Sequence, residues 1–151
     1  MNTINVAQIG VGYWGPNLLR NLVRMEEFRV GIVVDTAEDR RAYVESMYPG
    51  IRTSQRATEV WENPEIDAVV IATPAVTHKE LVESAILAGK HVLVEKPPAL
   101  STADVDQLVT LSESSGVLVM VGHTFLYNPA VAYLKELVSS GELGALRYLY
   151  S

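Results

Sequence analysis

Six short apolar runs, separated by stretches with helical spacing, constrain this chain more than any other feature. Ile4–Ile9 reads as a strand that ends on glycines. Residues 30–34 form a second strand, rich in β-branched side chains, and a brief third begins at Ile51. Residues 68–72 (Ala-Val-Val-Ile-Ala) show no polar alternation, as expected of a strand covered on both faces. His91–Val94 and residues 117–121 complete the series. Between them, residues 13–25 place Trp14, Leu18, Leu19, Leu22 and Val23 at helical intervals. A second helix over 39–48 is stopped by Pro49-Gly50, and 57–61 is a short helix or turn. Thr77-His78-Lys79-Glu80 has the form of a capping box and opens a helix through Ala88, which Gly89 ends. Ser101 opens another helix that ends near Gly116, and Pro129–Ser139 is the last. Crossovers of this length force parallel pairing, so the expected fold is α/β, a doubly wound parallel sheet of the Rossmann type.

Composition narrows the partners. The chain has 151 residues, a formal charge of −6 and no cysteine. A sequence pI near 5.0 argues against nucleic acid as a partner, because such proteins present basic patches. Without cysteine there is no disulfide, thiolate nucleophile or Cys-ligated zinc. His78, His91 and His123 have no metal-ligand spacing, so no metal is expected. The apolar stretch 4–11 is too short to span a membrane and lacks the basic flank of a signal peptide. No membrane partner and a cytoplasmic location are therefore expected.

The last eight residues behave differently. Residues 144–151 start a seventh strand, with Leu146, Tyr148 and Tyr150 on one face and no partner strand left in sequence. The expected division is a dinucleotide-binding domain over 1–143 and the start of a truncated second domain over 144–151. An unpaired strand there would be sticky.

Gly10-Val11-Gly12-Tyr13-Trp14-Gly15 matches G-x-G-x-x-G in the required context, with a strand before it and a helix after it. Gly10 permits the tight turn, Gly12 admits a pyrophosphate to the backbone, and Gly15 lets helix and strand pack closely. Free amides at the helix start then face the pyrophosphate. Tyr13 and Trp14 border the cofactor, reach the substrate or pack against the neighbouring loop. Asp35 ends the second strand, twenty residues after Gly15, where dinucleotide folds place the acid that binds the adenosine ribose. A carboxylate there opposes a 2′-phosphate by up to about 4 kcal/mol per unit charge at 4 Å, less with screening. NAD is therefore favoured over NADP, while Arg40 and Arg41 keep NADP open.

Ligands of doubly wound sheets lie beyond the C-terminal strand ends. Thr73-Pro74, Glu95-Lys96-Pro97-Pro98 and Gly122-His123-Thr124-Phe125 all fall there. Lys96, in a proline-stiffened turn, is placed to hydrogen-bond a substrate hydroxyl and take its proton as hydride leaves. Position alone leaves an ordinary surface lysine equally open.

Residues 88–97, Ala-Gly-Lys-His-Val-Leu-Val-Glu-Lys-Pro, resemble the glucose–fructose oxidoreductase/inositol dehydrogenase (Gfo/Idh/MocA) family. The upstream glycine turn and Thr73-Pro74-Ala75-Val76-Thr77-His78 extend that resemblance. It implies that Lys96 is an active-site residue near the nicotinamide and substrate, and that Glu95 lies by the nicotinamide ribose. It also places His78 on the cofactor side and a cis peptide at Lys96-Pro97. It further implies an enzyme acting on CH–OH groups of a sugar or nucleotide-sugar. That enzyme would have a C-terminal substrate domain supplying an aspartate/histidine pair or a tyrosine, and would be a homo-oligomer at full length. The sequence departs from the family pattern at Leu126, where many members carry arginine. The surrounding segment is similar to members acting on nucleotide-linked sugars, including UDP-N-acetylglucosamine 3-dehydrogenases. His123, counted with the cofactor residues, and Tyr127 border the substrate side or pack on the final helix. His91 reads as structural. The rival readings are a non-catalytic dinucleotide-sensing or scaffold module, and an NADP-dependent reductase of the same family.

Overall fold

The computed structural model describes residues 3–148 and 150. Within them the strands are β1 (Ile4–Ile9), β2 (Phe28–Val34), β3 (Arg52–Ser54), β4 (Ala68–Ile71), β5 (His91–Val94) and β6 (Val119–Val121). The helices are α1 (Gly15–Arg24), α2 (Glu38–Met47), α3 (Thr58–Trp61), α4 (His78–Leu87), α5 (Thr102–Ser115) and α6 (Pro129–Ser139). The strands form one parallel sheet in the order β3-β2-β1-β4-β5-β6. The order reverses between β1 and β4, which opens a crevice at their C-terminal ends.

Continuous apolar strands follow from the two covered faces. Ala7, Ile9, Val69, Ile71, Val92 and Val94 bury against Val82, Ala85 and Ile86 of α4 and Leu108 of α5. Their neighbours one residue along turn the other way. Val6 and Val70 meet Leu22 of α1, and Val33 meets Leu19 of α1 and Val44 of α2. Each such buried aliphatic side chain contributes about 1.5–3 kcal/mol.

Three expectations change. Thr77 is not a cap: its hydroxyl donates to Thr73 Oγ1 at 2.7 Å and Pro74 O at 2.8 Å. Its backbone is already helical, and a short 3-10 turn (Ala75–Thr77) leads into α4. β6 starts at Val119 because Val117 still closes α5, donating its N–H to Ser112 O and accepting from the Ser112 hydroxyl. Leu118 N–H donates to His91 Nδ1 at 3.0 Å, so His91 serves the sheet edge. Residues 144–148 and 150 form no strand and join no edge of the sheet. Residues 149 and 151 of that expected strand lie outside the described residues. Among the described residues, no helix is long and apolar enough to cross a membrane.

Polar anchors fix the connections. Glu59 joins the end of β3 to α3. The Ser54 hydroxyl donates to it at 2.8 Å and Arg56 at 2.9 Å, with Arg52 also paired, which holds the Glu59 carboxyl below the usual carboxylate range. Lys90 is buried, and its Nζ donates to Asn63 O at 2.7 Å and Ile66 O at 2.8 Å, tying the start of β5 to the loop before β4. Lys90→Met leaves Ile66 O unpaired and Asn63 O with only the Ile66 N–H at 3.3 Å. Urea denaturation should show a loss of about 1–3 kcal/mol, the cost of a buried unsatisfied acceptor.

Candidate functional site

The glycine turn is shaped by close backbone approach. Gly10 sits at φ +93°, and a Cβ there would lie 2.6 Å from Ala72 O. Its N–H donates to Val34 O at 2.8 Å, binding the end of β1 to β2. A Cβ on Gly15 would lie 2.4 Å from Gly10 O, so Gly15 is the packing glycine behind the turn. Gln8, fully buried on β1, donates its Nε2 to Gly10 O and Gly15 O, both at 2.9 Å. The N–H groups of Gly12, Tyr13 and Trp14 make no backbone hydrogen bond. A Cβ on Gly12 would meet nothing within 4 Å. Open space at Gly12, beside three available amides, is the cradle a diphosphate needs.

Asp35 stands against this turn. Its Oδ2 accepts from Val11 N at 2.7 Å and its Oδ1 from Ala37 N at 2.9 Å. Two oxygens carry about four lone-pair sites, so capacity remains for ribose hydroxyls. Arg41 Nη1 donates to Asp35 O at 2.8 Å and Thr36 O at 3.0 Å, which pins the loop. Arg40 faces the cavity and lies 3.7 Å from Asp39. Of the two arginines open to a 2′-phosphate, only Arg40 lines the site.

The other half of the cleft is braced by His78, which is 1% exposed. Its Nδ1 lies 2.7 Å from Pro97 O and its Nε2 2.7 Å from Thr73 O. With both nitrogens engaged by backbone, the ring joins the loop after β4 to the turn after β5. Both contacts donate together only in the doubly protonated ring. The Lys96-Pro97 peptide is cis, as the resemblance implied. Glu95 packs on Gly122, where a Cβ would lie 3.1 Å from Glu95 Oε1. Lys96 is exposed at the cleft.

A cavity of about 1130 Å³ runs along this edge. Gly10, Gly12, Tyr13, Trp14 and Asp35 line one end, and Thr73, Pro74, His78, Glu95 and Lys96 line the other. Two expected residues stand apart: Gly15 lies behind the turn, and His123 lines a second, mostly apolar cavity of about 410 Å³ with Phe125, Leu126 and Val131. Tyr127 is exposed and lines neither. Thr124, in the segment expected at the end of β6, lines the large cavity too; Thr36, Gln55 and Glu80 also line it and were not expected there from the sequence. Thr36 and Gln55 directly follow Asp35 and β3, so their place at C-terminal strand ends is the signal that marks them. Gln8 was missed as well; its signal is an amide inside an apolar run. Among the described residues no cluster of three or more His, Asp or Glu could hold a metal ion.

Two alanine substitutions separate cradle from scaffold. Gly15→Ala forces Cβ onto a backbone oxygen and should lower the thermal midpoint clearly. Gly12→Ala meets no protein atom, so the midpoint should hold. The methyl group occupies the cradle, and calorimetric titration should show NAD affinity down about tenfold or more.

The family model described as "Oxidoreductase family, NAD-binding Rossmann fold" (Gfo/Idh/MocA) matches residues 4–123. Inositol 2-dehydrogenase of Mycolicibacterium smegmatis is 35% identical over 95% of this chain and 42% of its own length. The 2,7-anhydro-N-acetylneuraminate hydratase of Mediterraneibacter gnavus is 33% identical over 100% of this chain and 40% of its own. A crystal structure of GenD2 from gentamicin A biosynthesis, in complex with NAD, superposes with a TM-score of 0.87 at 31% identity, covering 94% of this chain and 40% of that one. The chain spans about two fifths of the length of these relatives. It belongs to the Gfo/Idh/MocA oxidoreductase family, and it is the NAD-binding Rossmann domain of that family.

Proposed function

We propose that this chain is the cofactor-binding part of a dehydrogenase that oxidises a secondary alcohol on a sugar, polyol or nucleotide-linked sugar. The observation that carries this reading is the place of Lys96, which lines both the dinucleotide-sized cavity and the smaller apolar one. The larger cavity takes the cofactor and the smaller borders the substrate. NAD, when bound, supplies the hydride acceptor. Gly12, Tyr13 and Trp14 offer amides to the diphosphate, and Asp35 holds the adenosine ribose. Glu95 borders the nicotinamide ribose. Lys96 hydrogen-bonds the substrate hydroxyl and receives its proton as the C–H bond breaks. His123, Phe125 and Leu126 line the substrate side. Residues 144–151 begin a second domain, which completes the substrate site and builds a homo-oligomer.

The name of the Mediterraneibacter gnavus relative, a hydratase, supports a second reading: addition or loss of water, with no net oxidation. Net NADH formation from a panel of sugars, inositols and UDP-sugars separates the two. In the full-length protein, Lys96→Ala should lower kcat by about 10²–10⁴-fold, the usual contribution of a positioned acid or base, with NAD affinity nearly unchanged. Unchanged turnover would remove Lys96 from the chemistry.

Asp35→Asn tests the cofactor preference separately. Removing one negative charge beside the 2′ position should raise the NADP-to-NAD affinity ratio about tenfold or more, as screened Coulomb repulsion requires. An unchanged ratio in paired titrations would take Asp35 away from the ribose.

A further inference from the structure

Gln8 is an amide inside an apolar strand, and its arrangement is costly. Both Nε2 hydrogens are taken by Gly10 O and Gly15 O, while Oε1 is buried without any partner. Turning the amide over would set Oε1 against two carbonyl oxygens, so the orphaned acceptor is built in. A buried unmade hydrogen bond destabilises the fold. An aliphatic side chain, such as β1 carries at Val6 and Ile9, would avoid that cost but would leave the Gly10 carbonyl without its amide donor. The side chain's own oxygen gains nothing from this place.

Its partners do. The carbonyl of Gly10 and the N–H of Val11 belong to one planar peptide group and point in opposite directions. Gln8 holds the carbonyl from inside at 2.9 Å, and Asp35 Oδ2 holds the N–H from the cavity side at 2.7 Å. We propose that Gln8 is a positioning residue for the dinucleotide: through the Gly10–Val11 peptide it fixes the carboxylate of Asp35, and through Gly15 O it fixes the start of α1. The chain Gln8–peptide–Asp35 runs from the strand interior to the acid on the cavity wall. Gln8 lines neither of the two cavities described and acts through these groups. This inference rests on the reading that the cavity takes a dinucleotide.

Calorimetric titration of NAD into the wild type, Gln8→Met, Asp35→Asn and the double variant tests it. Gln8→Met should weaken NAD about tenfold, roughly one hydrogen bond to a charged group. In the Asp35→Asn background the same change should cost no more than about twofold, because coupled residues are not additive. Wild-type affinity in Gln8→Met, or two losses that multiply independently, would overturn the relay. A wild type that fails to bind NAD would overturn the cofactor reading instead. The relay is then read without ligand, by amide hydrogen exchange at Val11. Selective loss of protection at Val11, with β4 amides unchanged, supports the proposal; equal protection in wild type and variant overturns it. Gln8→Asn, too short to reach both carbonyls, serves for either measurement if Gln8→Met does not fold.

Discussion

A parallel sheet buried on both faces leaves its main chain one place to meet a ligand, the edge where the strands end. Everything functional in this chain is crowded there. The loops at that edge lack the ladder that orders the strands, so their carbonyls and amides need other partners. Side chains rooted in the scaffold supply them. Gln8 takes two carbonyls of the glycine turn, His78 joins the loops after β4 and β5, and Asp35 takes the Val11 amide. What remains unpaired on the backbone, at Gly12, Tyr13 and Trp14, is left for a ligand.

The family run from Gly89 to Pro97 divides along the same line. Its first half is scaffold: Lys90 reaches back to the carbonyls before β4, and His91 accepts from Leu118 N–H. Its second half is site: Glu95 and Lys96 line the cavity. The apolar residues Val92 and Val94 join the halves and are buried in the sheet. One strand thus has anchoring residues at its start and two cavity-lining residues just past its end.

Much of this was legible in the sequence, because strand runs, the glycine turn and the acid at the end of β2 are set by local spacing. What was not legible depends on contacts between distant segments. Thr77 has the local pattern of a cap, yet Thr73 and Pro74 compete for its hydroxyl. Val117 is as apolar as the strand after it, but Ser112 holds it to the helix. Gln8 is one polar letter in an apolar word, and its meaning appears only when Gly15, seven residues later, folds back beside it. Residues 144–148 and 150 have strand alternation, but alternation alone does not pair them with an edge of the sheet.

The charge of the chain sharpens the point. A molecule of net charge −6 binds an anion on a wall that already carries Asp35, Glu80 and Glu95. Long-range attraction does not achieve this, and only Arg40 and Lys96 bring positive side chains to the cavity. On the proposed function, the diphosphate is instead held by backbone N–H groups at the head of α1, whose partial charges act within a few ångströms and cannot be exchanged for surface lysines. Such donors work only when their direction is fixed beforehand. The buried amide of Gln8 and the crowded Gly15 brace that direction from behind the turn.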